Sequence, residues 1–282
     1  TATSSLLLRA WKSFQVKSLS FVSGALTSCN ESSFLNLSDP NHFTESNFWK
    51  DKADAESALA AAYSPIKGAM YGYFGAFDGW LNLNGRGDDI YTIKGEEVPM
   101  WNIANFLNSP STGNDPYGAL YSGIQRANIV LRYIDQVPAS GITEEDRSMI
   151  KGEALFLRGY QYFLLVNNYK EVPLRLIPSN EDETNKGPAS EAAVWTHVEE
   201  DLGNAIKCNL PVERTTAKER VTKGAAIAML GKVYATQHRY PEAKQLLGTL
   251  LKAPYSYELI DNFGKNFTNE DEFNKESVYD IA

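Results

Sequence analysis

The stretch from Ile150 to Leu174, IKGEALFLRGYQYFLLVNNYKEVPL, narrows the possible folds more than any other part of the chain. Apolar or aromatic residues stand at Ile150, Ala154, Leu155, Phe156, Leu157, Tyr160 and throughout 162–166. At helical spacing they cover most of the circumference, and Lys151, Arg158 and Gln161 share a remaining strip of about 80°. A surface helix has a narrower apolar face, so this one needs neighbours on several sides. Glu153, Arg158, Gln161 and Asn167 interrupt it too often for a membrane span, which requires about 20 nearly uncharged residues. Pro173 sets its far limit, because the residue before a proline is pushed out of the helical region. The expectation is the central helix of a mainly α protein.

Partners for it are legible on both sides. A helix is predicted from about Asp51 to Met70, with Ala55, Ala58, Leu59, Ala62 and Ile66 on one face and Pro65 kinking or restarting it. Asp115 and Pro116 are predicted to open the next helix, whose stripe is Leu120, Ile124, Ala127, Leu131 and Ile134. Asn128 beside that stripe reads as a buried hydrogen-bonding residue rather than a ligand. Thr143 followed by Asp146 resembles a capping box leading into the central helix. Ser190 caps a further helix with Val194, Val198, Leu202, Ala205 and Ile206 inward; its Glu199-Glu200-Asp201 run reads as a solvated face, and Cys208 as a small packing residue. Thr222 caps a helix from Lys223 to His238, and Pro241 opens another to Lys252.

In this last pair Leu230-Gly231, Tyr234, Ala243 and Leu247 fall at tetratricopeptide-like spacing, where small residues let antiparallel helices approach. The pairs at about 51–70 with 116–137, and 150–169 with 190–208, look like looser versions of the same unit. Such units stack to bury a shared core. A strand is expected at Ser277 to Ile281.

Between these helices, Tyr71 to Tyr117 is punctuated by glycines yet carries Tyr71, Tyr73, Phe74, Phe77, Trp80, Tyr91, Trp101 and Phe106. Loops of this length in compact domains tend to be functional or disordered. Ring faces pack on the apolar face of a pyranose while amides and carboxylates bond its hydroxyls. The candidate ligand-binding residues are therefore Trp80, Asn82, Asp88, Asp89, Trp101 and Asn102. Most of the other rings in the loop are expected to be core.

The 282 residues carry a formal net charge of −8, which argues against nucleic acid as partner. His42, His197 and His238 are far apart, so no metal-ligand spacing appears, and no cofactor motif is present. At the other end of the chain, Arg9, Lys12 and Lys17 precede a short apolar run from Leu19 to Leu26 and then Thr27-Ser28-Cys29, a lipobox-like order. Residues 1–28 are predicted to be a signal peptide, Cys29 the lipidated residue, 29–50 a polar tether and 51–282 the helical domain. Thr1 in place of Met, and an end within an apolar run, lead us to expect a fragment incomplete at its C-terminus.

Several segments together resemble the SusD/RagB family of Bacteroidetes outer-membrane lipoproteins. They are Cys29 with Phe34-Leu35-Asn36 and Pro40, ALAAAY at 58–63, YSGIQRANI at 121–129, KGEALFLRGYQY at 151–162, Val172-Pro173-Leu174, Asp201-Leu202 with Ala205, and TKGAAIAML at 222–230. The chain departs from the family pattern in its length, in Lys170-Glu171 where glycines often precede Val-Pro-Leu, and in Glu219 where glycine often precedes Arg220. The resemblance implies a tetratricopeptide-like superhelical scaffold with long irregular loops. It also implies a surface-exposed lipoprotein that binds a nutrient glycan without catalysis and delivers it to a TonB-dependent, SusC-like transporter barrel. In the RagB branch the ligand is a peptide.

Two other classes compete. A glycoside hydrolase needs two carboxyls about 5–10 Å apart across a cleft, whereas Asp88-Asp89 and Glu96-Glu97, neighbours in sequence, cannot bracket one bond. A protein-docking scaffold explains the helix pairs but not export together with the aromatic loop.

Overall fold

Ala55, Leu59, Ala62 and Ile66 recur at helical spacing, and in the computed structural model of the chain they form the buried face of α1 (Lys52–Lys67). The structure describes residues 48–67, 87, 101–102, 104–107, 117–179 and 181–280. The chain divides into units 1–48 and 49–282, and every element below belongs to the second. The predicted signal peptide, Cys29 and nearly all of the tether lie outside the described residues.

Pro65 does not break α1. A proline removes one N–H from the helical ladder, which leaves the carbonyl four residues earlier short of its donor. Arg126 Nη1 supplies the replacement, donating to Ala61 O at 2.9 Å. Arg126 lies on α2 (Tyr117–Tyr133), whose inward face is Leu120, Ile124, Ala127 and Val130. The expected start at Asp115-Pro116 falls outside the described residues.

A 3₁₀ turn at Ile134–Gln136 and a tight turn ending at Gly141 lead to α3 (Glu144–Tyr169), the predicted central helix. Thr143 caps it: its Oγ1 accepts from Asp146 N at 3.1 Å. The Asp146 carboxylate does not reach back to the Thr143 backbone; it takes the Thr143 hydroxyl and Lys52 Nζ. The helix stops at Lys170, whose φ of 63° carries the chain out of helical space ahead of Pro173.

Beyond an isolated antiparallel bridge between Val172 and Ala189 and a single turn, α4 (Glu181–Thr184), lies α5 (Glu191–Lys207), capped by Ser190. Then α6 (Lys223–Thr236), capped by Thr222, and α7 (Tyr240–Leu247) close the series. The helices pack in chain order, α1 on α2, α2 on α3, α3 on α5, α5 on α6 and α6 on α7, with α1 also touching α3. Burial on a neighbour at every step is what a stack of helix pairs requires.

Small residues set two of these approaches. A Cβ on Gly231 would lie 2.4 Å from Leu247 Cδ2, so the tetratricopeptide-like spacing in α6 and α7 is a close contact. A Cβ on Gly123 would collide with the Gln161 carboxamide; its absence lets the fully buried Gln161 lie between α2 and α3.

Two expectations need correction. The helix opened by Pro241 ends at Leu247 and gives way to turns, because Gly248 follows and little of the segment up to 252 is buried. No strand forms over residues 277–280; Ser277 Oγ donates to Asp280 there, and Ser277 N to Asn274 O at 3.1 Å, so the backbone turns instead of pairing. Of the polar strip on the central helix, Arg158 and Gln161 are buried, while Lys151 is half-exposed. Among the described residues no helix is long and apolar enough to cross a membrane.

Candidate functional site

Trp101 and Asn102 are the two predicted ligand residues that the structure describes. They open a helical turn: Asn105 donates to Trp101 O from both its backbone N, at 3.1 Å, and its Nδ2, at 2.7 Å. Leu107 N donates to Asn102 O at 2.8 Å, closing the turn over Phe106, whose φ is 57°. Both candidates are half-buried, and Phe106 and Leu107 beside them are exposed. Trp101 is thus neither fully buried in the core nor fully exposed. Trp80, Asn82, Asp88 and Asp89 lie outside the described residues.

Two buried charge clusters, which sequence reasoning missed, explain the most charged family-like segment. Glu153 is 0% exposed. Its carboxylate accepts from Arg214 Nη2 at 2.7 Å, from Arg220 Nε and Nη2 at 2.9 Å each, and from the Tyr63 hydroxyl at 2.5 Å. Tyr63 in turn accepts from Val221 N at 3.0 Å, and Arg220 Nη1 reaches Glu56 at 2.6 Å. Burial and the adjacent Glu153 charge push the Tyr63 phenol well above its ordinary pKa. Burial opposes the charge on Arg220, but Glu153 and Glu56 outweigh it and raise its pKa further. The cluster joins α1, α3 and the loop before α6.

The second cluster corrects the solvated-face reading of Glu199-Glu200-Asp201 at its last residue; Glu200 is exposed and Glu199 half-exposed. Asp201 is 2% exposed and takes a two-pronged bond from Arg158, Nε to Oδ2 at 2.8 Å and Nη2 to Oδ1 at 2.7 Å. His197 Nε2 stands 3.1 Å from Oδ2, one helical turn earlier on α5, and pairs with it when protonated. Burial works against ionisation of Asp201, yet the Arg158 bonds and His197 prevail and hold its pKa below the usual carboxylate range. Arg158 Nη1 also donates to Asn128 Oδ1 at 2.9 Å, and Asn128 Nδ2 donates to Arg175 O and Ile177 O. Asn128 is therefore a buried hydrogen-bonding residue, as read from the sequence. The signal for Asp201 was faint but present: in a helix with Val194, Val198, Leu202 and Ala205 inward, position 201 lies next to the buried stripe.

Chemically, both clusters are locks. Each buried carboxylate is held in place by charge-assisted bonds from guanidinium groups, Glu153 by Arg214 and Arg220 and Asp201 by Arg158. A groove of about 870 Å³ between α5 and the end of α6 has Trp195 and Tyr234 in its lining. Neither ring is available there: Trp195 is buried with Nε1 on Glu191 at 3.2 Å, and the Arg239 guanidinium stacks on Tyr234 at 4.4 Å. The exposed surface of the Trp101 turn remains the better candidate.

Comparison with known proteins agrees with this architecture. Residues 87–235 match the model of a SusD-like family described as starch-binding and associating with the outer membrane. SusD-like protein P38 of Formosa agariphila is 25% identical over 263 residues, which is 90% of this chain and 48% of that protein. A SusD superfamily structure from Bacteroides vulgatus superposes with a TM-score of 0.74 at 30% identity, covering 83% of this chain and 50% of the other. A laminarin-binding SusD-like protein superposes with a TM-score of 0.73 at 29% identity, covering 82% and 51%. The chain thus spans about half the length of the relatives it matches. With the family model matching more than half of its residues and the helix stack superposing on solved members, the chain belongs to the SusD-like family.

Proposed function

We propose that the chain is a non-catalytic, surface-exposed glycan-binding lipoprotein of the outer membrane, anchored through Cys29, that hands its ligand to a TonB-dependent transporter barrel. The observation that carries the binding part is the Trp101-Asn102 turn, which lies inside the family-matched region and leaves both residues half-exposed. A glucan is favoured as the ligand because a relative superposing on most of this chain is a laminarin-binding protein. The non-catalytic part is supported by the setting of the two buried carboxylates, since Glu153 and Asp201 are closed off from solvent and each is tied to arginine. Trp80, Asn82, Asp88 and Asp89 complete the proposed ligand surface.

Titration of the purified chain with maltohexaose and laminarihexaose tests this. The expected result is reversible saturation, with the sugar unchanged by chromatography after prolonged incubation. Trp101→Ala is expected to weaken binding about tenfold, the loss of one stacked ring, with unchanged helical circular dichroism. Cleavage of the sugar, or preference for a peptide over both glucans, would overturn the reading; unfolding of Trp101→Ala would show that the indole is core. Cys29→Ser is expected to release the protein from the membrane fraction of cells that process lipoproteins, and co-purification of a barrel tests the transporter partnership.

A further inference from the structure

The loop that leaves the central helix is tied down by side chains, and two of its tethers meet one imidazole. Over residues 173–177, Pro173 O accepts from the Tyr121 hydroxyl at 2.7 Å. Arg175 N donates to the Tyr162 hydroxyl at 2.7 Å, and that hydroxyl donates back to Arg175 O at 3.0 Å. Arg158 Nη1 donates to Leu176 O at 3.2 Å, the longest of its bonds, while its other nitrogens hold Asp201. His197, 7% exposed, touches both the Tyr162 and the Arg158 tether. Its ring stands edge to face on Tyr162 with centroids 5.4 Å apart. Its Nε2 is 3.1 Å from Asp201 Oδ2, the oxygen that Arg158 Nε already occupies at 2.8 Å. A lone pair on Nε2 would face that carboxylate oxygen, so the neutral ring carries its hydrogen there and an added proton goes to Nδ1. Nδ1 lies 3.9 Å from Oε2 of Glu200, whose side chain is mostly in water.

We propose that His197 is a proton-operated release for the 173–177 loop: once charged, it competes with Arg158 for Asp201 Oδ2 and eases the hold of Arg158 on Leu176 O. Two cations on one buried carboxylate oxygen repel each other strongly. Arg158 yields by keeping Nη2 on Oδ1 and giving up its longest bond. Leu176 and Arg175 are neighbours, so loosening the first frees the second from Tyr162. The other groups around the imidazole do not supply such a switch. Burial raises the pKa of Tyr162, which stays a neutral phenol, and the pKa of Asp201 is held below the usual carboxylate range. From the loop, the Glu183 carboxylate acts on Tyr162, and the Arg175 guanidinium lies over Tyr121 at 4.9 Å. On α6, Lys232 lies over the Phe163 ring at 5.9 Å. Arg239, just beyond α6, bonds Glu199, which points about 200° away from His197 around α5.

The test follows the isotope-labelled chain by NMR from about pH 8 down to about pH 5, where Asp201 is still ionised. The His197 ring resonances report proton uptake. Exchange of the Arg175 amide hydrogen, corrected for the intrinsic effect of pH, reports the loop. As the ring takes up its proton, protection of that amide is expected to fall about tenfold, the worth of one hydrogen bond to a charged group. It is expected to stay level in His197→Gln, and amides within α3 are expected to keep their protection throughout. Glu200→Gln, a change at an exposed side chain, is expected to move the fall to lower pH by about 0.2–0.7 unit, the worth of an exposed ion pair. A ring that takes up no proton in this range, or one that does while the Arg175 amide stays protected, overturns the proposal. So does the same fall in His197→Gln, a fall that Glu200→Gln leaves in place, or a loss of protection shared by all of α3.

Discussion

Replacing Glu153 by glutamine keeps the shape of the side chain and removes the charge at the centre of the α1–α3–loop cluster. In the native cluster both oxygens of Glu153 are acceptors, Oε1 for Arg214 and Arg220 Nη2, and Oε2 for Arg220 Nε and Tyr63. A carboxamide retains one acceptor and sets an NH₂ group where the other stood. With Oε1 kept for the two Nη2 groups, that NH₂ faces Arg220 Nε–H, donor against donor. Tyr63 can adapt, because its oxygen has a second lone pair beside the one taken by Val221 N. Arg220 cannot, and Arg214 then has Val221 O, but no carboxylate, among its close partners. Removing one member of a buried ion pair typically costs about 3–5 kcal/mol. That is a large part of a total stability of about 5–15 kcal/mol. With a urea m-value of about 3 kcal/mol per M, the unfolding midpoint is expected to fall by about 1–2 M. Urea titration followed by far-UV circular dichroism measures it, and Glu56→Gln, at the more open edge of the cluster, serves as the comparison with a smaller expected loss. A Glu153→Gln midpoint equal to wild type would refute the argument that this carboxylate holds the three segments together.

Two further outcomes follow from the same reasoning. The pKa of Asp201 is lowered in the folded chain, so its stabilising contribution is complete above the unfolded value of about 3.9 and is lost as pH falls through the folded one. Urea midpoints measured from pH 7 down to strongly acidic pH are expected to drop steeply at the acid end for wild type and less so for Asp201→Asn, which is weaker already at neutral pH; parallel curves would count against this. Arg126→Met is expected to cost about 1 kcal/mol by uncapping Ala61 O, and to cost much less in a Pro65→Ala background, where the helix supplies its own N–H. Equal losses in the two backgrounds would show that Arg126 acts through something other than the proline gap.

What the sequence disclosed and what it withheld divide along one physical line. Caps at Thr143, Ser190 and Thr222 are local, each a side chain bonding a backbone group three residues on, and each is found where the residues place it. The stripes of α1, α2 and α5 are local too. Arg158 and Asp201 are 43 residues apart, so the faint helical-stripe signal at Asp201 could not name its partner, and nothing near Arg158 reveals the carboxylate it meets. Pro65 presents the same difficulty, since its remedy comes from Arg126 on another helix. In the candidate site, Trp101 and Asn102 were proposed from the residue types of their loop, whereas the partners of Glu153, drawn from residues 56 to 220, become evident only in the folded chain.

The cluster around Glu153 also dictates an order of events. Its members are drawn from residues 56, 63, 153, 214 and 220, with the Arg220–Glu56 pair spanning 164 positions. A growing polypeptide that has presented only α1 to α3 holds Glu153 without either counter-ion. Closing those helices would then bury a bare carboxylate, which is strongly unfavourable. The first two helix pairs therefore gain their full stability only when the segment before α6 arrives. Consolidation of this protein is a long-range event that waits on its third pair, a slow kind of topology to assemble, and it makes the stack cooperative across units that would otherwise fold one neighbour at a time.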